Sequence, residues 1–278
     1  MRHAVRLTAL LLACLILTES SQAQDLFPDK ALEAVVRQYV FEKRNNEEPL
    51  VEDDVKNIST IVGKNKGITN LAGLEKCRSL ALLDLSGNEI SDVTPLKDLK
   101  NLQSLDLSKN KIQDIQPLAD LTGLQYLQLS DNEISDIAAV EKLENLRSLY
   151  LSNNKLQAVE PLAKLTKLWS LYLDGNQVTD LKPLAGLTDL TSLDLRNNGL
   201  ADLSPLAEMT ELKYLMLDNN NISDLGVLVA MAKKDFEGEK RFAPFLQIYL
   251  SGNPLSDEAK TQQLEELKQY GCRVKLED

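Results

Sequence analysis

The chain has 278 residues, of which 31 are basic and 42 acidic, so its net charge is −11. Leucine makes up about a fifth of the chain, whereas aromatic residues make up only 5%. The single histidine is His3, inside an N-terminal segment that we predict is removed, so the mature chain would lack a catalytic triad, a His general base and a His-ligated zinc. No phosphate-binding loop and no dinucleotide-binding glycine motif occurs. We therefore predict that the protein is not an enzyme and uses no cofactor and no metal.

The N-terminus has the features of an export signal. A basic start precedes an apolar run from Leu7 to Leu17, and the small residues Ser21 and Ala23 suit cleavage after Ala23. An alternative is a lipoprotein signal with a lipid attached to Cys14, but the apolar run continues where a polar tether is expected. We expect residues 1–23 to be a signal peptide and the protein to be periplasmic, secreted or attached to the cell surface.

The charge of the mature chain narrows the range of partners. Removing the signal leaves 29 basic and 41 acidic residues, a net charge of −12. This excess of acid argues against binding to nucleic acid or to an anionic membrane surface, and it favours basic partner surfaces. No later segment approaches the ~18 consecutive apolar residues of a membrane-spanning helix, so we predict no transmembrane segment after signal removal.

A repeat of constant length runs through most of the chain. Seven copies of L-x-x-L-x-L-x-x-N-x-[IVL]-x-x-[IVL]-x-P-L-x-x-L-x-x match over residues 80–228. The asparagines of the repeat are Asn88, Asn110, Asn132, Asn154, Asn176, Asn198 and Asn220. A fixed period of this length indicates a solenoid built from one supersecondary unit per copy.

The repeat is a leucine-rich repeat, and each of its constant positions has a structural explanation. The L-x-L segment predicts a short strand whose leucines point inward, and the Asn amide is expected to bond backbone groups left unpaired at the turn. The Pro-Leu pair predicts a helical turn on the opposite side of the coil, with a preceding Asp as its cap. We predict an α/β fold: a right-handed leucine-rich repeat solenoid with a concave parallel sheet, a helical N-terminal cap and a C-terminal helix cap.

The 22-residue period with D-[IVL]-x-P-L after the Asn resembles the internalin-type repeats of bacteria, over residues 58–255. The resemblance implies an exported protein that binds other proteins on the concave face. Full-length internalins also carry an immunoglobulin-like segment and an L-P-x-T-G wall anchor, and neither follows the repeats here. We therefore expect a short form without them.

The regions outside the regular repeats are expected to protect the ends of the solenoid. Apolar spacing predicts helices near 29–41 and over 52–60. We expect four parts: a signal peptide at 1–23, a helical N-terminal cap at 24–57, about nine repeat coils at 58–255, and a C-terminal cap at 256–278. Cys77 and Cys272 lie at opposite ends and should be buried free thiols, because a disulfide needs Cα atoms within about 7 Å.

An insertion interrupts the last coils. Asn253 follows Asn220 by one and a half repeat periods instead of one, and the additional half period falls within 229–244. Helical spacing predicts a lengthened helix, followed by a solvated loop whose deletion over 234–243 should leave folding intact. A second contact site in this segment is the alternative. The repeat phase is expected to resume at Phe245. The densest basic cluster of the chain lies here, at Lys233, Lys234, Lys240 and Arg241.

Outward positions on the strands are free of core packing, so their composition bears on function. Five of the seven tyrosines occupy them, and exposed aromatics are enriched at binding surfaces. We predict a protein-binding surface centred on Tyr150, Tyr172 and Trp169. The full set is Tyr126, Tyr150, Trp169, Tyr172, Tyr214, Met216, Asp84, Asp106 and Asp194. Two alternatives stay open: a glycan-binding surface protein that stacks sugars on the rings while the aspartates accept hydroxyl protons, and a purely structural scaffold stiffened by ring packing.

Overall fold

The computed structural model describes residues 25–238 and 240–276. The predicted signal peptide at 1–23, and its alternative with a lipid on Cys14, lie outside these residues. In the described part, ten strands form one open parallel sheet in which each strand pairs with the next along the chain. The strands are β1 (Thr60–Val62), β2 (Leu82–Asp84), β3 (Ser104–Asp106), β4 (Tyr126–Gln128), β5 (Ser148–Tyr150), β6 (Ser170–Tyr172), β7 (Ser192–Asp194), β8 (Tyr214–Met216), β9 (Gln247–Tyr249) and β10 (Arg273–Lys275). The predicted solenoid is confirmed.

Each strand has three residues, and the middle one faces the core. Leu105 of β3 pairs with Leu127 of β4, which pairs with Leu149 of β5, and all three are fully buried. The residues on either side of each middle leucine point to the outer face of the sheet, which we call the concave face. The constant repeat length therefore aligns chemically equivalent side chains in columns across the sheet.

The opposite side of each coil is a short 3₁₀ turn, most often started by proline. An Asp precedes most of these turns and accepts a hydrogen bond from a backbone N–H two residues later, as Asp92 does from Thr94 N at 2.8 Å. The same contact is made by Asp114, Asp136, Asp180, Asp202 and Asp224. The predicted capping role of this Asp column is confirmed.

The asparagine column ties neighbouring coils together. Asn154 is 8% exposed, and its Nδ2 donates to Leu129 O and Leu151 O at 3.0 Å each. Its Oδ1 accepts from Ile134 N, also at 3.0 Å. Leu129 and Ile134 belong to the preceding coil, so one side chain pairs backbone groups of two coils that would otherwise be buried without partners. The predicted role of the column is confirmed.

Asn154→Ala is expected to lower the free energy of unfolding by about 3 kcal/mol, because two buried carbonyls and one buried N–H lose their partner. Urea unfolding followed by circular dichroism measures the change. Asn145→Ala is the control, since Asn145 is exposed, and within the described residues its side chain bonds Thr122 O, at 2.9 Å, and the Lys167 ammonium, at 2.8 Å. We expect the control to change stability by less than about 1 kcal/mol. Equal losses in the two variants would contradict the scaffold role of the column.

The N-terminal cap contains two helices that are shorter than predicted. Helix α1 spans Lys30–Arg37, with Asp29 Oδ1 accepting from Ala31 N and Leu32 N at its start. It ends at Arg37 because the chain folds back there, and the Arg37 guanidinium donates to the carbonyls of residues 43, 46 and 48. Tyr39 is 39% exposed, and its hydroxyl accepts from Val62 N at 2.9 Å. It therefore occupies the free edge of β1 rather than the core.

Helix α2 spans Glu52–Val55, so the predicted helix over 52–60 is wrong at its end. Residues 60–62 instead form β1, with Ile61 fully buried and paired in register with Leu83. Pairing with the first regular coil outweighs local helical spacing here, because it places Ile61 in the core and supplies backbone hydrogen bonds to the strand.

The C-terminal end of the solenoid contains the predicted helix. Ser256 Oγ accepts from Ala259 N at 3.1 Å, and a π-helical turn (Ala259–Gln263) leads into helix α4 (Leu264–Gln269). Gly271, with φ 101°, ends the helix, and β10 closes the sheet. Cys77 and Cys272 are buried free thiols, as predicted, and burial raises the pKa of each to about 12.

The insertion lengthens the convex turn into helix α3 (Gly226–Glu237), as predicted. The prediction of a solvated loop after it is wrong, because Phe242 is 2% exposed and Ala243 is fully buried. The carboxylate of Asp235 accepts hydrogen bonds from the backbone N–H groups of residues 241, 242 and 243 at 2.8–3.0 Å. These bonds fix the return segment, the residues that lead from helix α3 back to β9. Phe245 is 59% exposed and Leu246 is buried, so the expected phase at 245 is also wrong by one residue.

No helix in the described residues is both long and apolar enough to cross a membrane.

Candidate partner-binding face

Three tyrosines on adjacent strands form a ring ladder across the centre of the concave face. The rings of Tyr150 and Tyr172 are stacked, with centroids 4.8 Å apart and planes at 27°. Tyr126 lies 5.5 Å from Tyr150 at 46°, reaching it diagonally because Tyr126 pairs in register with Ser148. All three are half-buried. We call Tyr126, Tyr150 and Tyr172 the tyrosine ladder.

The repeat register explains why the ladder forms. Tyr150 and Tyr172 are direct register partners on β5 and β6, and neighbouring strands lie about 4.8 Å apart, which matches the distance between stacked rings. The other outward position on these two strands is serine, at Ser148 and Ser170. Serine is too small to cover the rings, so the ladder keeps a solvent-facing surface.

Carboxylates adjoin the ladder on its N-terminal side. Asp84 accepts from Ser86 Oγ at 2.8 Å and forms an ion pair with Lys64 at 2.7 Å. Asp106 accepts from Ser108 Oγ at 2.7 Å. Burial, and then the charge of Asp106, raise the pKa of Tyr126 to about 12, so this hydroxyl stays protonated. The N-terminal side of the ladder is therefore negatively charged.

The C-terminal side of the ladder contains three carboxylates around one arginine. Asp194 is fully buried, and the Arg196 guanidinium covers it with Nε 2.9 Å from Oδ1 and Nη2 2.6 Å from Oδ2. Asp174 accepts from the Ser152 hydroxyl, and Asp218 accepts from Ser251 N at 2.8 Å. Burial raises the pKa of Asp174, and the charge of Asp194 adds to that rise. The expectation that Asp194 is open to a partner is wrong, because the side chain of Arg196 covers it and is the group exposed to solvent at this position.

Trp169 stands apart from the tyrosine ladder. It is 50% exposed and lies just before β6, with the Arg147 guanidinium 4.8 Å from its ring centroid. Among the described residues it makes no ring contact with a tyrosine, so the predicted centre of Tyr150, Tyr172 and Trp169 does not form one cluster. Trp169 belongs to the edge of the solenoid where the strands begin.

Tyr214 and Met216 extend the face towards the C-terminus. Both lie on β8, where Tyr214 is 43% exposed and Met216 is half-buried. Sequence reasoning missed a column that lies two positions after the last residue of each strand from β2 to β8. It consists of Ser86, Ser108, Ser130, Ser152, Asp174, Arg196 and Asp218. This column changes from serine to charged residues at Asp174, and that change was the available signal for the charged cluster.

Comparison with known proteins agrees with this architecture. The family described as "Leucine Rich repeats (2 copies)" matches residues 100–142, 144–186, 166–208 and 188–230, and a further "Leucine Rich repeat" matches 76–93. A search among curated proteins finds no match.

Many solved structures are similar to this one, among them two internalins and a plant receptor ectodomain. Internalin C2 from Listeria monocytogenes is 36% identical, with a TM-score of 0.71 over 74% of this chain and 91% of that chain. The internalin InlF from the same organism is 24% identical, with a TM-score of 0.62 over 91% of this chain and 90% of that one. The ectodomain of the plant membrane receptor kinase GASSHO1/SCHENGEN3 from Arabidopsis thaliana, solved in complex with Casparian strip integrity factor 2, is 25% identical, with a TM-score of 0.58 over 68% of this chain and 23% of that one.

Two of these findings identify the family. The matched repeats span more than half of the chain. The alignment with internalin C2 shows 36% identity and covers 91% of that protein. The chain therefore belongs to the leucine-rich repeat proteins of the internalin type.

Proposed function

We propose that this chain is an exported protein-binding module that captures its partner on the concave face. The observation that carries the proposal is the tyrosine ladder, because half-buried tyrosines on an open sheet provide the rigid aromatic anchors typical of protein interfaces. The leucine-rich repeat fold commonly mediates protein binding, and the plant receptor ectodomain was solved with a bound partner.

The charges around the ladder indicate the chemistry of the partner. Asp84 and Asp106 lie on one side, and Asp174, Asp194 and Asp218 lie on the other, with Lys64 and Arg196 as the cations paired to them. The side chains named here therefore sum to a net negative charge on both sides of the rings. We propose that the partner presents basic side chains next to an apolar or aromatic segment, so that its charges meet the half-buried carboxylates Asp84, Asp106 and Asp174.

The domain boundaries belong to the same proposal. We propose that residues 1–23 direct export and are removed, that 24–57 and 256–278 cap the solenoid, and that 58–255 present the binding face. N-terminal sequencing of the exported protein should begin at Gln24. A mature chain that begins at a lipidated Cys14 would replace this part of the proposal.

Photocrosslinking tests the protein-binding proposal while leaving the tyrosines intact. A photoreactive residue at Ser148 or Ser170 lies on the concave face beside the ladder, whereas the same residue at Gln116 or Lys182 lies on the convex turns. We expect both concave positions to capture the same discrete protein from the exported fraction of the native organism, and the convex positions not to capture it. A glycan adduct would favour the glycan-binding alternative, and no adduct on the concave face would favour the purely structural one.

A further inference from the structure

A second surface lies along the edge of the solenoid where the strands begin. A shallow groove of about 500 Å³ crosses four consecutive coils there. It is lined by Lys100, Asn101, Gln103, Gly123, Gln125, Asn145, Arg147 and Lys167. All of these except Gly123 are exposed polar or charged residues. The lining therefore contains three cations and four amides but no carboxylate, in a chain whose net charge is −11.

The cations of the groove are positioned by neutral groups. Lys100 Nζ donates to Lys97 O at 3.0 Å, and Lys167 Nζ donates to Asn145 Oδ1 at 2.8 Å. Arg147 stacks on the Trp169 ring at 4.8 Å. In the described part of the chain none of these three cations forms an ion pair with a carboxylate, whereas the basic residues Lys111 and Lys155 on another surface of the solenoid do. The charge of the groove is therefore not neutralised by its own side chains.

Arg147 is well placed to bind an anion. The guanidinium carbon of Arg147 lies over the Trp169 ring, 4.8 Å from its centroid. A guanidinium has five N–H donors, and two of them can donate to two oxygens of one carboxylate or sulfate. Gly123 keeps the floor of the groove open, because a Cβ at this position would approach Lys100 O and Leu102 O to 3.2 and 3.1 Å. The two lysines lie on either side of this floor along the coils.

We propose that the groove binds an acidic glycan, one that carries carboxylate or sulfate groups. The amides of Asn101, Gln103, Gln125 and Asn145 offer donors and acceptors of the kind that sugar hydroxyls require. An open, polar groove suits a hydrated chain of sugars better than an apolar peptide segment. This site is separate from the tyrosine ladder and does not depend on its function.

The test measures binding of the full mature chain to a heparin decasaccharide, to polygalacturonate and to neutral dextran by titration calorimetry. We expect binding to the two acidic glycans but not to dextran. Arg147→Gln combined with Lys167→Gln should weaken binding about tenfold or more, because two charge-assisted contacts are lost. Lys182→Gln combined with Lys260→Gln is the matched control, since it removes the same charge from exposed residues elsewhere. It should change affinity less than about twofold, because neither lysine lines the groove.

Three results would overturn the proposal. These are no binding of wild-type protein to either acidic glycan, an equal loss in the two charge variants, and binding of poly-glutamate as tight as that of the glycans through the same residues. The last result would assign the groove to acidic peptides. Tyr150→Ala combined with Tyr172→Ala should retain glycan binding, so failure of this proposal and failure of the protein-binding proposal are distinguishable.

Discussion

Replacing Tyr150 and Tyr172 together by alanine is expected to weaken capture of the protein partner at least about thirtyfold, and up to about a thousandfold if the two losses add. Each truncation of an aromatic anchor commonly costs about 2 kcal/mol of binding free energy. The measurement is affinity for the crosslinked partner by surface plasmon resonance, with the melting temperature of the same variant recorded in parallel.

The effect on folding should be small. The two rings are stacked but only half-buried, so removing both should cost about 1 kcal/mol of ring–ring contact and leave the leucine core intact. Phe41→Ala is the control, because Phe41 is 76% exposed and lies in the N-terminal cap, away from the concave face. It should leave capture unchanged. Lost stability with unchanged capture in the tyrosine variant would instead support the stiffening role of the rings.

Phe242→Ala is expected to lower the free energy of unfolding by about 3–5 kcal/mol, because it leaves a cavity where a buried aromatic ring stood. The ring is 2% exposed, and its backbone N–H is held by the Asp235 carboxylate at 3.0 Å. Urea unfolding measures the loss. For the same reason, deleting residues 234–243 should disrupt the C-terminal coils, the opposite of what the repeat pattern alone suggests.

The chain supplies a matched control three residues away. Phe245 is the same residue type in the same segment but is 59% exposed, so Phe245→Ala should change stability by less than about 0.5 kcal/mol. If neither variant loses stability, Phe242 is not a core residue and the segment is a solvated loop. If both lose as much as Phe242→Ala is expected to lose, the difference in burial between the two rings is wrong.

The sequence alone determined the solenoid because its repeat is strict. When Leu105, Leu127 and Leu149 recur at the same phase of successive repeats, each has an equivalent neighbour in the next coil, so one local pattern implies the whole stack. The asparagine and aspartate columns could be interpreted in the same way, since each coil leaves the same backbone groups unpaired. The tyrosine columns followed from strand alternation, which places Tyr150 and Tyr172 on one face.

Only the tertiary structure decided the conformation where the repeat is interrupted, and only it decided the contacts of long side chains that reach beyond their own column. Ile61 lies in a strand rather than a helix because it pairs with the first regular coil, and Phe242 is buried because Asp235 draws the return segment inwards. Asp194 is covered by the guanidinium of Arg196, and Trp169 stacks on Arg147 at the edge rather than joining the tyrosines. A periodic pattern specifies which backbone positions face inwards, but it does not specify where a flexible Arg or Trp side chain finds its partner, because that depends on distances across coils.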